Sequence, residues 1–126
     1  MEPYTVDLEV RFRDLDPMQH VNNAIYVTYL EQARARFYEE VVGTTLADID
    51  TVLAQVEVSF ERPIEGVGTV RVELTVGELG RSSIPMTYEL FSGDERVATG
   101  RSVQVYFERD SGTSRPIPED LRERLS

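Results

Sequence analysis

The sequence predicts an α+β fold, an antiparallel five-stranded sheet packed on one long helix in the order β-α-β-β-β-β. Three observations carry this. Residues 4–13, YTVDLEVRFR, alternate apolar and polar without a miss. From Asn22 to Gly43 the apolar spacing changes to three and four. Beyond residue 51, four further period-two runs appear, separated by short turns that carry glycine. Strands joined so closely pair antiparallel, and the helix can bury its stripe only against the sheet they form. One helix covers one face, so the other face is either polar or meets another copy of the chain.

In the first strand Tyr4, Val6, Leu8, Val10 and Phe12 point one way, against Thr5, Asp7, Glu9, Arg11 and Arg13. The helix stripe is Tyr26, Leu30, Ala33, Phe37 and Val41, flanked by Val27 and Tyr29, with Asn22 or Asn23 as N-cap and Gly43 as terminator. At 3.6 residues per turn this is about five turns. The second strand sets Val52, Ala54, Val56, Val58 and Phe60 against Gln55, Glu57, Ser59 and Glu61. The third buries Val70, Val72, Leu74 and Val76, and the fourth Ile84, Met86, Tyr88 and Leu90. Pro85 lacks an N–H, which places the fourth strand at an edge or a bulge. The fifth strand aligns Val97, Val103, Val105 and Phe107, with Gly100 marking a bend or a close approach. Proline followed by acids and then arginines in RPIPEDLRERLS predicts a short C-terminal helix over 117–125. Residues 1–126 read as a single domain.

Composition narrows the function classes. The chain has no cysteine, which excludes disulfides, thiol nucleophiles and Cys-ligated zinc; one histidine makes a His-rich metal site a poor fit, so no metal is expected. It carries 23 acidic residues against 13 arginines and no lysine, a net charge of −10. Such a surface repels phosphate backbones and anionic bilayers, so neither nucleic acid nor membrane is expected as a partner. The absence of a leader or an apolar span makes the cytoplasm the expected location. Acidic excess without lysine resembles the halophilic pattern of proteins from salt-loving archaea. Self-repulsion then destabilises the fold where screening is poor. The melting temperature is therefore expected to rise from dilute buffer to molar KCl, and a flat profile would refute the halophilic reading.

The densest chemistry lies in DLDPMQHVNNAIYVTYLEQAR, residues 14–34, where the first strand gives way to the helix. Asp-Pro and Asn-Asn are ordinary turn and cap chemistry. A carboxylate just upstream of a helix N-terminus also suits acyl transfer: the free N–H groups of the first turn polarise a carbonyl, while the carboxylate attacks it or deprotonates a water. Asp14, Asp16 and His20 are too few and too mixed for a metal site, and no G-x-S-x-G nucleophile motif is present.

The stretch RFRDLDPMQHVNNAIYVTYLEQAR, in this β-α-β-β-β-β context, resembles the hotdog-fold acyl-CoA thioesterases of the hydroxybenzoyl-CoA thioesterase-like family; DLD…QHVNN…Y is also similar to plant acyl-ACP thioesterases. The resemblance implies a hotdog fold, with the sheet wrapped around the helix, and cleavage of acyl-CoA to free acid and CoA by a homodimer or homotetramer. It places Asp16 at the catalytic carboxylate, as nucleophile or general base, and the backbone near Asn23 at the thioester oxygen. His20 falls at a histidine of the plant relatives, whose asparagine is replaced here by Met18. Asn22 and Glu31 are further candidates near the substrate, and Tyr26 for the acyl pocket. Family members bind CoA across the dimer with the segment joining the third and fourth strands, here GELGRSSIP, which nominates Arg81, Ser82 and Ser83; Arg62 is a second candidate for phosphate or adenine. No cofactor is implied, since CoA is part of the substrate. The alternatives are an acyl-ACP thioesterase or hydratase on the same fold, and a non-catalytic acyl-CoA-binding regulatory module.

Overall fold

A computed structural model describes residues 2–126. It runs β1 (Tyr4–Val10), α1 (Ile25–Phe37), β2 (Thr51–Phe60), β3 (Gly68–Val76), β4 (Ser83–Ser92), β5 (Glu95–Glu108), β6 (Thr113–Ser114) and α2 (Glu119–Leu125). The five long strands form one antiparallel sheet in the order β1-β3-β4-β5-β2, and the two-residue β6 pairs with β5. This is the expected sheet-and-helix architecture. The core lies between α1 and the inward rows of the sheet: Val70, Val72 and Leu74 from β3, and Ile84, Met86, Tyr88 and Leu90 from β4, meet Tyr26, Tyr29, Leu30, Ala33 and Phe37.

The helix is continuous in path but not in winding. After Phe37 it passes into a π-turn, Tyr38–Val42, and stops at Gly43, whose φ of 86° is left-handed as the terminator reading requires. The wider turn shifts the buried stripe by one residue. Val42 is therefore buried and Val41, expected in the stripe, is 48% exposed.

Four further expectations need correction. Phe12 does not continue the inward row of β1, because the strand ends at Val10; Phe12 opens a 3-10 turn and stands 78% exposed. In β2 a register shift between Leu53 and Gln55 leaves Ala54 unpaired, so Val52 lies on the opposite face from Val56, Val58 and Phe60. In β5 the bulge around Val97 and the pairing with β4 turn Ala98, Ser102, Gln104 and Tyr106 inward, while Val103, Val105 and Phe107 face outward and are half-buried. Pro85 sits in the interior strand β4. Its carbonyl accepts from the Gly77 N–H beyond the last β3–β4 pair, Val76–Met86, so the missing donor faces the side where β3 has already ended. Gly100 is a close approach: a Cβ there would meet Leu30 Cδ1 at 3.0 Å, which lets α1 settle directly on β5.

Candidate active site

The segment between β1 and α1 folds back on itself. Leu15 and Val21 form an isolated antiparallel bridge, the Asn22 N–H donates to the Asp14 carbonyl at 2.8 Å, and the Asp16 N–H donates to the His20 carbonyl at 2.7 Å. Inside this small hairpin the Asp16 carboxylate closes an Asx-turn, with Oδ1 accepting from the Met18 N–H at 2.9 Å and the His20 N–H at 3.1 Å. Both bonds fall on one oxygen. The second, Oδ2, has no hydrogen-bond donor among the described residues. Gln19 completes the turn at φ 65°, a left-handed conformation uncommon for a residue with a side chain, and its carbonyl is tied by the Gly66 N–H.

Asp14 is the structural partner of this arrangement. It is fully buried and accepts from the Arg11 N–H at 3.0 Å, the Arg11 guanidinium at 3.1 Å and the Tyr29 hydroxyl at 2.8 Å. Burial pushes its carboxyl up, but these donors outweigh burial and hold it below the usual carboxylate range. Burial, with the Asp14 pairing added to it, pushes the Tyr29 hydroxyl up. Asp14 thus pins the start of the hairpin to α1.

The helix entry is built by Asn22 rather than by the formal N-cap. α1 begins at Ile25 with Ala24 as its cap, and no side-chain cap bond is made there. Earlier in the turn, Asn22 Oδ1 accepts the Ala24 N–H at 2.9 Å and the Asn22 carbonyl accepts the Ile25 N–H. The neighbouring Asn23 N–H has no acceptor among the described residues. It is an unfilled donor at the positive end of the helix.

Asp16, His20, Asn23, Tyr26 and Arg62 line one cavity of about 240 Å³, together with Val21, Phe60, Glu61 and Pro63. Five of the sequence-predicted residues therefore meet. Tyr26 forms the apolar wall, edge-on to Phe60 with ring centroids 4.9 Å apart. His20 Nε2 sits 3.6 Å from Glu65 Oε1, and Arg62 reaches Glu95 loosely at 3.8 Å. Phe60 and Glu61 carry no sequence signal for this role, because nothing in a period-two run marks its last residues as cavity lining. Glu61 is the rival carboxylate, but Arg96 grips both its oxygens, at 2.8 and 2.9 Å, which holds it below the usual range. With both oxygens engaged it is a poor base. Asp16, with one oxygen free, is the available carboxylate.

The remaining candidates do not join this cavity within the chain. Asn22 caps the helix, and Glu31 is exposed on α1. Arg81, Ser82 and Ser83 lie at the far end of the sheet: Ser83 pairs with Val105, whereas the cavity is beside Leu90 and Ala98, about 23 Å away for seven residues of extended strand. There the Arg81 side chain donates to Ser82 Oγ, and the Arg81 and Ser82 carbonyls accept from Ile117 and Tyr106. Within one chain this segment does not line the Asp16 cavity. Among the described residues no group of three or more His, Asp or Glu is placed to hold a metal, and no helix is long and apolar enough to cross a membrane.

A family model described as the thioesterase-like superfamily matches residues 10–125. The chain belongs to this superfamily. Among solved structures it is similar to a thioesterase of Thermus thermophilus complexed with coenzyme A and zinc, at 40% identity and a TM-score of 0.87, covering 96% of this chain and 90% of that one. A predicted thioesterase from Bacillus stearothermophilus matches at 25% identity with a TM-score of 0.89, covering 98% and 93%. The 1,4-dihydroxy-2-naphthoyl-CoA thioesterase of Synechocystis, 15% identical with a TM-score of 0.88 and covering 98% and 95%, shares the hotdog fold. No curated protein matches the chain.

Proposed function

We propose that this thioesterase-superfamily protein hydrolyses acyl-CoA, with Asp16 as the reacting carboxylate and the Asn23 N–H at the helix tip as the donor to the thioester oxygen. The observation that carries the reading is that Asp16, with one carboxylate oxygen free, and Asn23, with its backbone N–H unfilled, line the same cavity. As general base, Asp16 takes a proton from water; the hydroxide adds to the carbonyl, the Asn23 N–H stabilises the oxyanion, and the C–S bond breaks to release CoA thiolate, which then takes up a proton. As nucleophile, the same oxygen adds to the carbonyl and the C–S bond breaks to expel CoA thiolate, leaving an anhydride that water cleaves to the free acid and the regenerated Asp16 carboxylate. The coenzyme A in the Thermus thermophilus relative supports CoA as the thiol carrier.

The reading includes a homodimer. β2 ends the sheet, and Val52, Leu53 and Phe60 on it are exposed apolar residues, an edge that invites pairing. Antiparallel pairing of two β2 strands sets the Phe60 end of one beside the Thr51 end of the other. Thr51 pairs with Tyr106, whose N–H donates to the Ser82 carbonyl. Arg81, Ser82 and Ser83 of the partner subunit would then approach the cavity that the same segment does not line within one chain, and with Arg62 would supply cations and hydroxyls for the CoA phosphates. The test is a panel of short, long-chain and aromatic acyl-CoA esters read by free-thiol release. Turnover is expected for at least one class; tight binding without thiol release from any member would instead favour a regulatory module.

A further inference from the structure

The core holds a cation that the chain does not neutralise. Arg34, on the third turn of α1, is 3% exposed and takes part in none of the ion pairs among the described residues. Its one hydrogen bond there runs from Nη1 to the Tyr88 hydroxyl at 3.2 Å, and Nε is buried without an acceptor. A guanidinium stays charged and offers five donors. Burying it this way is costly unless an acceptor arrives from outside the chain.

The surroundings show which kind of acceptor fits. The Tyr88 hydroxyl shares a 2.6 Å hydrogen bond with Ser102, and Gln104 on the same inward row of β5 bonds Tyr38 and Thr51. The floor under α1 is therefore apolar or small at Leu90, Ala98 and Gly100, beside the cavity, and polar at Ser102 and Gln104, beyond it. Its open side is the seam between α1 and β2, where Val56 and Val58 are only half-buried and Val27 and Phe60 are exposed. A chain entering at Tyr26 and Phe60 and following this seam meets Arg34 after eight helical residues, about 12 Å.

Resting on the thioesterase reading above, we infer that Arg34, with Tyr88 and Ser102, is the element that selects the acyl group, and that it takes an acyl chain ending in a carboxylate. The substrates are then CoA monothioesters of dicarboxylic acids, long enough to bridge the seam. A plain alkyl tail would leave the guanidinium unpaired, whereas a terminal carboxylate satisfies it in a two-pronged contact and finds Tyr88 and Ser102 beside it. Arg34 touches the distal end of the substrate and takes no part in bond breaking.

The test uses non-hydrolysable CoA thioethers, S-(ω-carboxyalkyl) against S-alkyl of equal length, with about six to ten carbons to match the helical rise, titrated calorimetrically into the full chain. The wild type is expected to bind the carboxylates at least about tenfold more tightly. Arg34→Met, which fills the space without charge and is expected to fold at least as stably, should reverse that preference; Arg34→Lys should keep its direction. Equal binding of the two series by the wild type, or a ratio unchanged in Arg34→Met, overturns the inference. So does an unchanged ratio accompanied by loss of the dimer in sedimentation, which would assign the missing acceptor to a second copy. Because thioethers are not cleaved, the ratio is read whether or not the matching thioesters turn over; failure of turnover alone would sink only the hydrolase reading.

Discussion

Asp16→Asn is expected to lower kcat by about two decades or more while leaving KM and the melting temperature close to those of the wild type. The choice of asparagine comes from the turn. Oδ1 of the aspartate accepts the Met18 and His20 N–H groups, and an asparagine oxygen in the same place can accept both, losing only the charge assistance. The hairpin, the left-handed Gln19 and the position of the helix tip are all preserved. The change falls on the other atom, where an amide nitrogen replaces the free Oδ2. That nitrogen can neither take a proton from water nor attack a carbonyl, so the chemical step is lost while the cavity keeps its shape. Steady-state kinetics beside a thermal melt checks this. Wild-type turnover would remove Asp16 from the reaction, and a melting temperature several degrees lower would show that the carboxylate serves the fold instead. Glu61 provides the contrast: its oxygens are both held by Arg96, so Glu61→Gln should disturb that surface ion pair far more than kcat.

The sequence revealed the architecture because most of its elements obey a single period. β3 and β4 alternate cleanly, and their inward rows are the buried ones. The failures occur where a residue is inserted into the period. The π-turn after Phe37 adds one residue to the helix and exchanges Val41 for Val42. The register shift at Ala54 and the bulge at Val97 each flip the faces of the strand residues beyond them. Pattern reading carries no signal for such insertions, because they depend on how neighbouring strands pair. The site divides in the same way. Asp16, His20 and Asn23 were legible because their grouping is local, within eight residues of chain. Phe60 and Glu61 enter the cavity only through the pairing of β2 with β5, and Arg34 is notable only because the folded chain brings it no carboxylate. Both are long-range facts.

Asp14→Ala is expected to give the largest stability loss of a single substitution in the site, about 2–4 kcal/mol at neutral pH. The fully buried Tyr29 hydroxyl loses its acceptor, and the Arg11 N–H and guanidinium lose theirs, although Arg11 is partly exposed and regains water. The start of the hairpin is released with them, so kcat should fall too, in contrast to Asp16→Asn. The loss carries a pH signature of definite sign. The folded-state pKa of Asp14 lies below its ordinary value of 3.8, so its contribution is complete above that value and disappears as the pH falls through the lower, folded one. Denaturant unfolding of wild type and variant should therefore show a constant gap from neutral pH down to about 5 that closes progressively below about 4. Glu40 and Glu61 are also held low by their hydrogen-bonding partners and destabilise the wild type in acid, but they are present in both proteins and cancel in the difference. A gap that persists undiminished to about pH 2 would mean that Asp14 acts through packing and not through its charge.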